Sequence, residues 1–255
     1  MKFENVRVYN FERALYGMRH PKESYHLSDS HFESIEEYLS HEKEDPVRRY
    51  IIGEKDMKLA QTLIRSGNEH RKFMRQIFVS VDITAPLYWW KEFDTYKVGT
   101  VANSTSTMHK IQSKPITIEC FEIDDYEPSL IFSEVDTFIG SNDGESLKHY
   151  EIPVKKRVES IISFLEDLRL KYLETKDKRF WKELIRWTSS GWLQTRTVTL
   201  NYENLFAMCS RGQRRFHKLN EWSGIDDYTL DNFIKFARTL PYAQELIFID
   251  EIEEE

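Results

Sequence analysis

GNEHRKFMRQIFVSVDITAPLYWWKEFDTYKVGTVANSTSTMH, residues 67–109, is the stretch on which the reading of this chain turns. Within it Ile77, Val79, Val81 and Ile83 alternate with Phe78, Ser80 and Asp82, the two-residue period of a half-buried strand. Ala85-Pro86 ends that strand, and proline at a first helical position suits the aromatic segment Leu87 to Tyr96 as a helix. A hydroxyl-rich run comes next, Asn103-Ser104-Thr105-Ser106-Thr107-Met108-His109. Hydroxyls and amides on a loop after a helix offer donors and acceptors to a phosphate or a pyrimidine edge at low steric cost. The same residue types cap helices and make turns, which composition alone favours.

Working outward, Val6 to Tyr9 reads as a short strand, and Phe11 to Met18 as a helix that stops near His20-Pro21. Ser28 to His41 carries Phe32, Ile35 and Leu39 at near-helical spacing behind a capping Ser or Asp, predicting a helix. Glu54 to Ser66 predicts another, with Met57, Leu59, Ala60, Leu63 and Ile64 on one stripe and Gly67 as the stop. Beyond His109 the chain is mixed to about Tyr150. Ile116-Thr117-Ile118 and Ile131-Phe132 are strand-like there, and Ser141-Asn142-Asp143-Gly144 has turn chemistry. Val154, Val158, Ile161, Ile162, Leu165 and Leu168 recur every three or four residues, predicting a long amphipathic helix from about Val154 to Leu173. Further helices are expected from Asp177 to Trp187, Tyr202 to Arg211 and Leu230 to Leu240, before an acidic tail from Ile249 to Glu255.

With 255 residues, 40% apolar and 14% aromatic, the chain can build one large or two small cores. Its net charge of −7 argues against holding a nucleic-acid backbone by electrostatic excess. Cys120 and Cys209 are too few for a disulfide framework and fit a reducing cytoplasm. No membrane span or signal peptide is read from the sequence, so a soluble cytoplasmic protein is expected. Phosphate-loop, dinucleotide, paired-histidine zinc and Gly-x-Ser-x-Gly motifs are absent. His26, His31 and His41 share no helical face, so no metal site is expected.

Order and spacing add to the composition. Glu69-His70 stands before the strand, Ala85-Pro86 opens the helix, and the hydroxyl run holds an Asn and a Ser three residues apart. This arrangement resembles the flavin-dependent thymidylate synthases, whose signature is Arg-His-Arg-x-x-Ser-x-Asn-Glu-x-Ser-x-Arg-Tyr after a Glu-His pair and an Ala-Pro helix start. Asn103 then matches the signature asparagine and Ser106 its active-site serine. The departures are specific: Thr95-Tyr96-Lys97 replaces Arg-His-Arg, Ser104 the glutamate, and Met108-His109 the closing Arg-Tyr, with one extra residue before Asn103. A second block resembles the family's C-terminal half through Arg186, Arg196, Asn201-Tyr202-Glu203-Asn204-Leu205, Arg211 and His217-Lys218-Leu219-Asn220-Glu221.

The resemblance implies an α+β fold of the thymidylate-synthase-complementing type, a mixed sheet with packed long helices, formed by residues 1–255 as a single domain with the acidic tail from about 249. It implies a homotetramer whose sites are shared between chains. The implied activity is reductive methylation of dUMP at C5, with FAD as cofactor and NADPH and methylenetetrahydrofolate as co-substrates; the alternative is a non-catalytic or differently specific flavin- or nucleotide-binding homologue. Ser106 is the implied catalytic residue, with His70, Lys97, Asn103 and Asn201 toward the cofactor and Glu92, Ser104, Arg186 and Arg211 toward the nucleotide. A lysine replaces lost arginine forks only in part, which implies weakly held FAD. Glu92 beside an anion is repulsive unless protonated or paired with Lys97. Partners are thus a small-molecule nucleotide and further copies of the chain, not nucleic acid or membrane. Tyr88-Trp89-Trp90 and Phe93 read as core packing, and Cys209 as a small buried hydrophobe.

Overall fold

The computed structural model describes all residues except 41–47, 97, 140–144, 215, 225–230 and 252–255, and gives the backbone alone for the rest of 134–150 and for 213. Its strands are β1 (Lys2–Tyr9), β2 (His31–Phe32), β3 (Tyr50–Ile51), β4 (Phe78–Pro86), β5 (Val101–Ser104), β6 (Ile131–Ile139), β7 (Glu145–Pro153) and β8 (Leu193–Asn201). The chain forms two compact units, Met1–Thr84 with Trp89–Ser104 and Thr195–Glu255, and Ala85–Tyr88 with Thr105–Gln194.

The first unit is built on a four-stranded sheet in the order β1-β4-β8-β5. The alternation read from residues 77–83 is realised in β4, where Val79, Val81, Ile83 and Ala85 are all buried. β1 is longer than its apolar residues suggest and runs antiparallel to β4 from Lys2↔Thr84 to Tyr9↔Phe78, with an irregularity between Glu4 and Arg7. The helix Phe11–Met18 comes next, burying Phe11, Ala14, Leu15 and Met18 as its spacing predicts.

Ser28 to His41 departs from expectation. In its described part only Ile35–Ser40 is helical, and His31–Phe32 pairs as β2 with β3; His41 lies outside the described residues. The reason is that the polar residues expected to cap this segment cap another one. Asp29 accepts the Lys55 and Asp56 backbone N–H groups at 2.9 and 3.1 Å, closing the start of the helix Glu54–Arg65. Ser28 and Ser30 each donate a hydroxyl to Asp56 Oδ2 at 2.6 Å. Asp56 in turn is buried against Arg19, whose Nε lies 2.6 Å from Oδ1.

The aromatic helix is Leu87–Phe93, shorter than the expected Leu87 to Tyr96. Its end tightens: Asp94 N–H still reaches back four residues to Trp90, whereas Thr95 and Tyr96 reach back three, to Glu92 and Phe93. Trp89, Trp90 and Phe93 are buried, as their core-packing reading requires, and Trp89 stacks on Trp222 at 4.6 Å. After β8 the helix Tyr202–Cys209 ends before a separate turn, Arg211–Arg214. Cys209 is wholly buried, and burial pushes its thiol far above the ordinary range, as expected of a hydrophobe. The Leu230 to Leu240 expectation narrows to Phe233–Arg238, capped by the Asn232 side chain on Lys235 N–H at 2.9 Å; Leu230 lies outside the described residues. Ile249–Glu251 is a helical turn with Ile249 buried and Glu251 paired to Arg214 and Arg238, so the acidic run begins inside the fold.

The second unit contains the antiparallel hairpin β6–β7, in register from Ile131↔Pro153 to Ile139↔Glu145. The expected turn at Ser141 to Gly144 lies outside the described residues. Pro153 leads into the long helix Val154–Thr175, and Asp177 caps Lys178–Trp187 by accepting Arg179 N–H at 2.9 Å. These helices bury Leu165 and Leu184 with Ile111 and Ile116. Ile116 to Ile118 is therefore not a strand. Ile116 turns into that core while its N–H bonds Glu166 Oε2 at 2.8 Å, and Ile118–Cys120 is a short 3-10 turn.

Candidate functional site

β5 and β8 place the polar residues of the first unit. β5 pairs antiparallel with β8, setting Asn103 opposite Thr197 and Ser104 opposite Arg196, with both β5 residues exposed on an edge strand. Arg196 is held on two sides: Nη1 bonds Asp94 Oδ1 at 2.9 Å, and the guanidinium lies 4.2 Å from the Trp90 ring centre. At 15% side-chain exposure it is a fixed cation, not a free surface arginine. Asp94 and Glu92 both belong to the end of the aromatic helix, and Glu92 is half-buried. Lys97 lies outside the described residues.

Asn201 ends β8 and is 5% exposed. Its side chain accepts Asn204 N–H at 2.9 Å while the Asn204 side chain accepts Asn201 N–H at 3.2 Å, a reciprocal cap on the helix Tyr202–Cys209. Asn204 also donates to the Val98 carbonyl at 2.7 Å. Gly99 fits beside this pair with φ of +84°, where a Cβ would stand 2.7 Å from Asn201 Nδ2. The asparagine pair therefore fixes the turn that precedes β5.

His70 is exposed at the start of the short helix Arg71–Gln76. Arg211 is exposed, with its backbone N–H on Asp250 Oδ2 at 2.7 Å. Ser106 and Arg186 belong to the second unit. The Ser106 hydroxyl accepts His109 N–H at 3.1 Å and caps the short helix Thr107–Lys110, while Arg186 is half exposed and paired with Glu183 on its own helix. Gln194 supports the hydroxyl run by donating to the Thr105 carbonyl at 2.8 Å. Trp181 Nε1 reaches the Met108 carbonyl at 3.1 Å.

Sequence reasoning did not single out Asp94, Gln194 or Trp222. Trp222 sits between Trp89 and His217 in one stack, with His217 at 5.2 Å and Tyr96 at 5.9 Å. Trp89 Nε1, Trp222 Nε1 and His217 Nε2 are buried with no hydrogen-bond partner among the described residues. Such orphaned buried polar atoms carry a desolvation cost. No sequence signal marks Trp222, whose neighbours come from separated segments. Among the described residues no three His, Cys, Asp or Glu side chains converge as a metal site.

No known family's sequence profile matches the chain, and no curated protein matches it. Solved structures do. The chain is similar to thymidylate synthase X from Helicobacter pylori crystallised with FAD and dUMP, at 14% identity and a TM-score of 0.58 over 98% of both chains. A second structure, described as the flavin-dependent thymidylate synthase ThyX of that organism complexed with FAD and dUMP, matches at 15% identity and TM-score 0.58 over 99% of this chain and 100% of the other. The UMP/dUMP methylase PolB from Streptomyces cacaoi, bound with 5-Br dUMP, matches at 13% identity and TM-score 0.50 over 96% and 94%. The chain thus has the α+β fold of these nucleotide-methylating enzymes from end to end.

Proposed function

We propose that this protein is a divergent flavin-dependent thymidylate synthase that methylates dUMP reductively at C5, using FAD, NADPH and methylenetetrahydrofolate. The observation that carries the reading is a fold shared over essentially the whole of both chains with proteins crystallised with FAD and dUMP. The residues of the first unit suit such ligands chemically. Asn103, Ser104 and His70 are exposed donors and Arg211 is exposed. When bound, FAD would supply the hydride that completes the methyl group.

The protein's own part is binding and orientation. Asn103, Asn201, His70 and Lys97 would hold the cofactor, Asn201 chiefly by fixing the Gly99 turn. Ser104, Glu92, Arg186 and Arg211 would face the nucleotide, with Ser106 beside the pyrimidine. Arg196 enters as a positioning residue, since its contacts with Asp94 and Trp90 tie the end of the aromatic helix to β8. In the family resemblance the site is completed by other copies of the chain, so residues of different units need not meet within one subunit. One observation favours the alternative of a non-catalytic or differently specific nucleotide-binding homologue: the Ser106 hydroxyl already serves as a helix cap. Release of the C5 proton from dUMP in the presence of FAD, NADPH and methylenetetrahydrofolate separates the two. The enzyme releases it; the binding homologue takes up ligand and releases none.

A further inference from the structure

A groove of ≈ 720 Å³ opens in the first unit between the end of β1 and the β2–β3 hairpin. Its lining includes none of the residues assigned to flavin or dUMP, so its role is independent of the proposed function. Phe11 and Tyr242 meet edge to face in its wall at 5.6 Å, and Phe32 and Tyr50 do the same at 5.0 Å. Phe32 keeps 41% and Tyr9 47% of its surface exposed, so aromatic surface is left accessible along the groove. Arg48 lies over the Phe32 ring at 5.6 Å, anchored by Nε on the Glu33 carbonyl at 3.0 Å. Arg7 and Arg49 also line it. The buried Glu33 carboxylate accepts the Arg49 backbone N–H at 2.5 Å, and among the described residues no side-chain ion pair joins a carboxylate to any of these three guanidinium groups.

The groove is also built rather than incidental. Asn10 and Tyr242, both lining it, take left-handed backbone with φ of 75° and 55°, which costs energy outside glycine. Each is held by long-range bonds. Asn10 donates to the Gln76 carbonyl at 2.9 Å, and the Tyr242 hydroxyl donates to the Tyr50 carbonyl at 3.0 Å while accepting Ile52 N–H at 3.1 Å. The hairpin is thereby fastened to the floor, so the cavity exists before any ligand arrives.

One guanidinium over a ring, with two further arginines lining the same groove, suits a ligand that is both anionic and planar. The volume lies within the roughly 300–1,000 Å³ of small-molecule sites. The geometry points to a binding site for a free nucleoside phosphate, its base against the exposed surface of Phe32, its phosphates on Arg7, Arg48 and Arg49, and Glu12 accepting from a sugar hydroxyl or base amino group. A single-stranded nucleic acid shares that chemistry, but the acidic charge of the whole chain opposes it.

Calorimetric titration of the intact protein tests this using ATP, dTTP, adenosine, inorganic phosphate and a short oligothymidylate. The expected result is saturable binding of ATP or dTTP, weakened at least tenfold by Arg49→Ala and by Phe32→Ala, with adenosine and phosphate each at least tenfold weaker than the nucleotide. Both substituted residues are exposed, and melting curves and flavin content check that the variants keep their fold. Absence of saturable binding by either triphosphate at millimolar concentration overturns the proposal. So does binding unchanged in both variants, or an oligothymidylate that binds more tightly than dTTP. Failure of the protein to take up flavin would overturn the proposed function and leave this result standing.

Discussion

Asp56 and Arg19 form a buried ion pair whose cost is met by hydrogen bonds. Burial pushes the Asp56 carboxyl up, but bonds from Ser28, Ser30 and Arg19, with the arginine's charge, outweigh it and hold the group below its ordinary 3.8. A folded value below the unfolded one means that the carboxylate stabilises the fold above pH 3.8 and that this contribution is lost as pH falls through the depressed value. Asp56→Asn should cost about 3–5 kcal/mol at pH 7, because Arg19 is left buried and unpaired. Urea unfolding between pH 7 and pH 3 checks both points, the variant losing less stability on acidification than the wild type. Ser106 carries a different test. As a cap its removal should cost about 0.5–2 kcal/mol, and as a catalytic residue it should also lower C5 proton release with flavin content unchanged. Ser106→Ala followed by melting and by proton release distinguishes a cap alone from a cap that also serves the reaction.

At the scale of elements, the reciprocal Asn201–Asn204 cap is the joint between β8, the helix Tyr202–Cys209 and the Gly99 turn. Asn201→Ala should destabilise by about 1 kcal/mol through the lost cap, shift the melting temperature by a few degrees and reduce FAD uptake in an absorbance titration. Unchanged uptake would leave Asn201 a cap and nothing more. Elements with strong local signals were legible: the alternation in β4, its end at Ala85-Pro86, and the three-to-four spacing of Val154–Thr175 all reappear, although Pro86 is the last strand residue and the aromatic helix starts at Leu87. Elements set by distant partners were not. Ser28, Asp29 and Ser30 look like the start of their own helix, yet their side chains reach Lys55 and Asp56. Ile116 and Ile118 have strand residues, yet Ile116 is drawn into the core of the long helices. The candidate site divides in the same way: Asn103 and Ser106 stand in the order of the family's signature, whereas Trp222 gains its place from tertiary packing and Arg196 its environment from Asp94 and Trp90.

Among the described residues no helix is long and apolar enough to cross a membrane, and in the family resemblance the proposed site is shared between copies of the chain. Light scattering at micromolar concentration should therefore give four times the mass of 30.6 kDa; the mass of a single chain would remove the shared site. The central claim is the reaction itself, and its most direct measurement is release of tritium from dUMP labelled at C5 by the purified protein with FAD, NADPH and methylenetetrahydrofolate. Release that depends on all three additions is the expected result. Protein that binds FAD and dUMP under those conditions yet releases no label would contradict it.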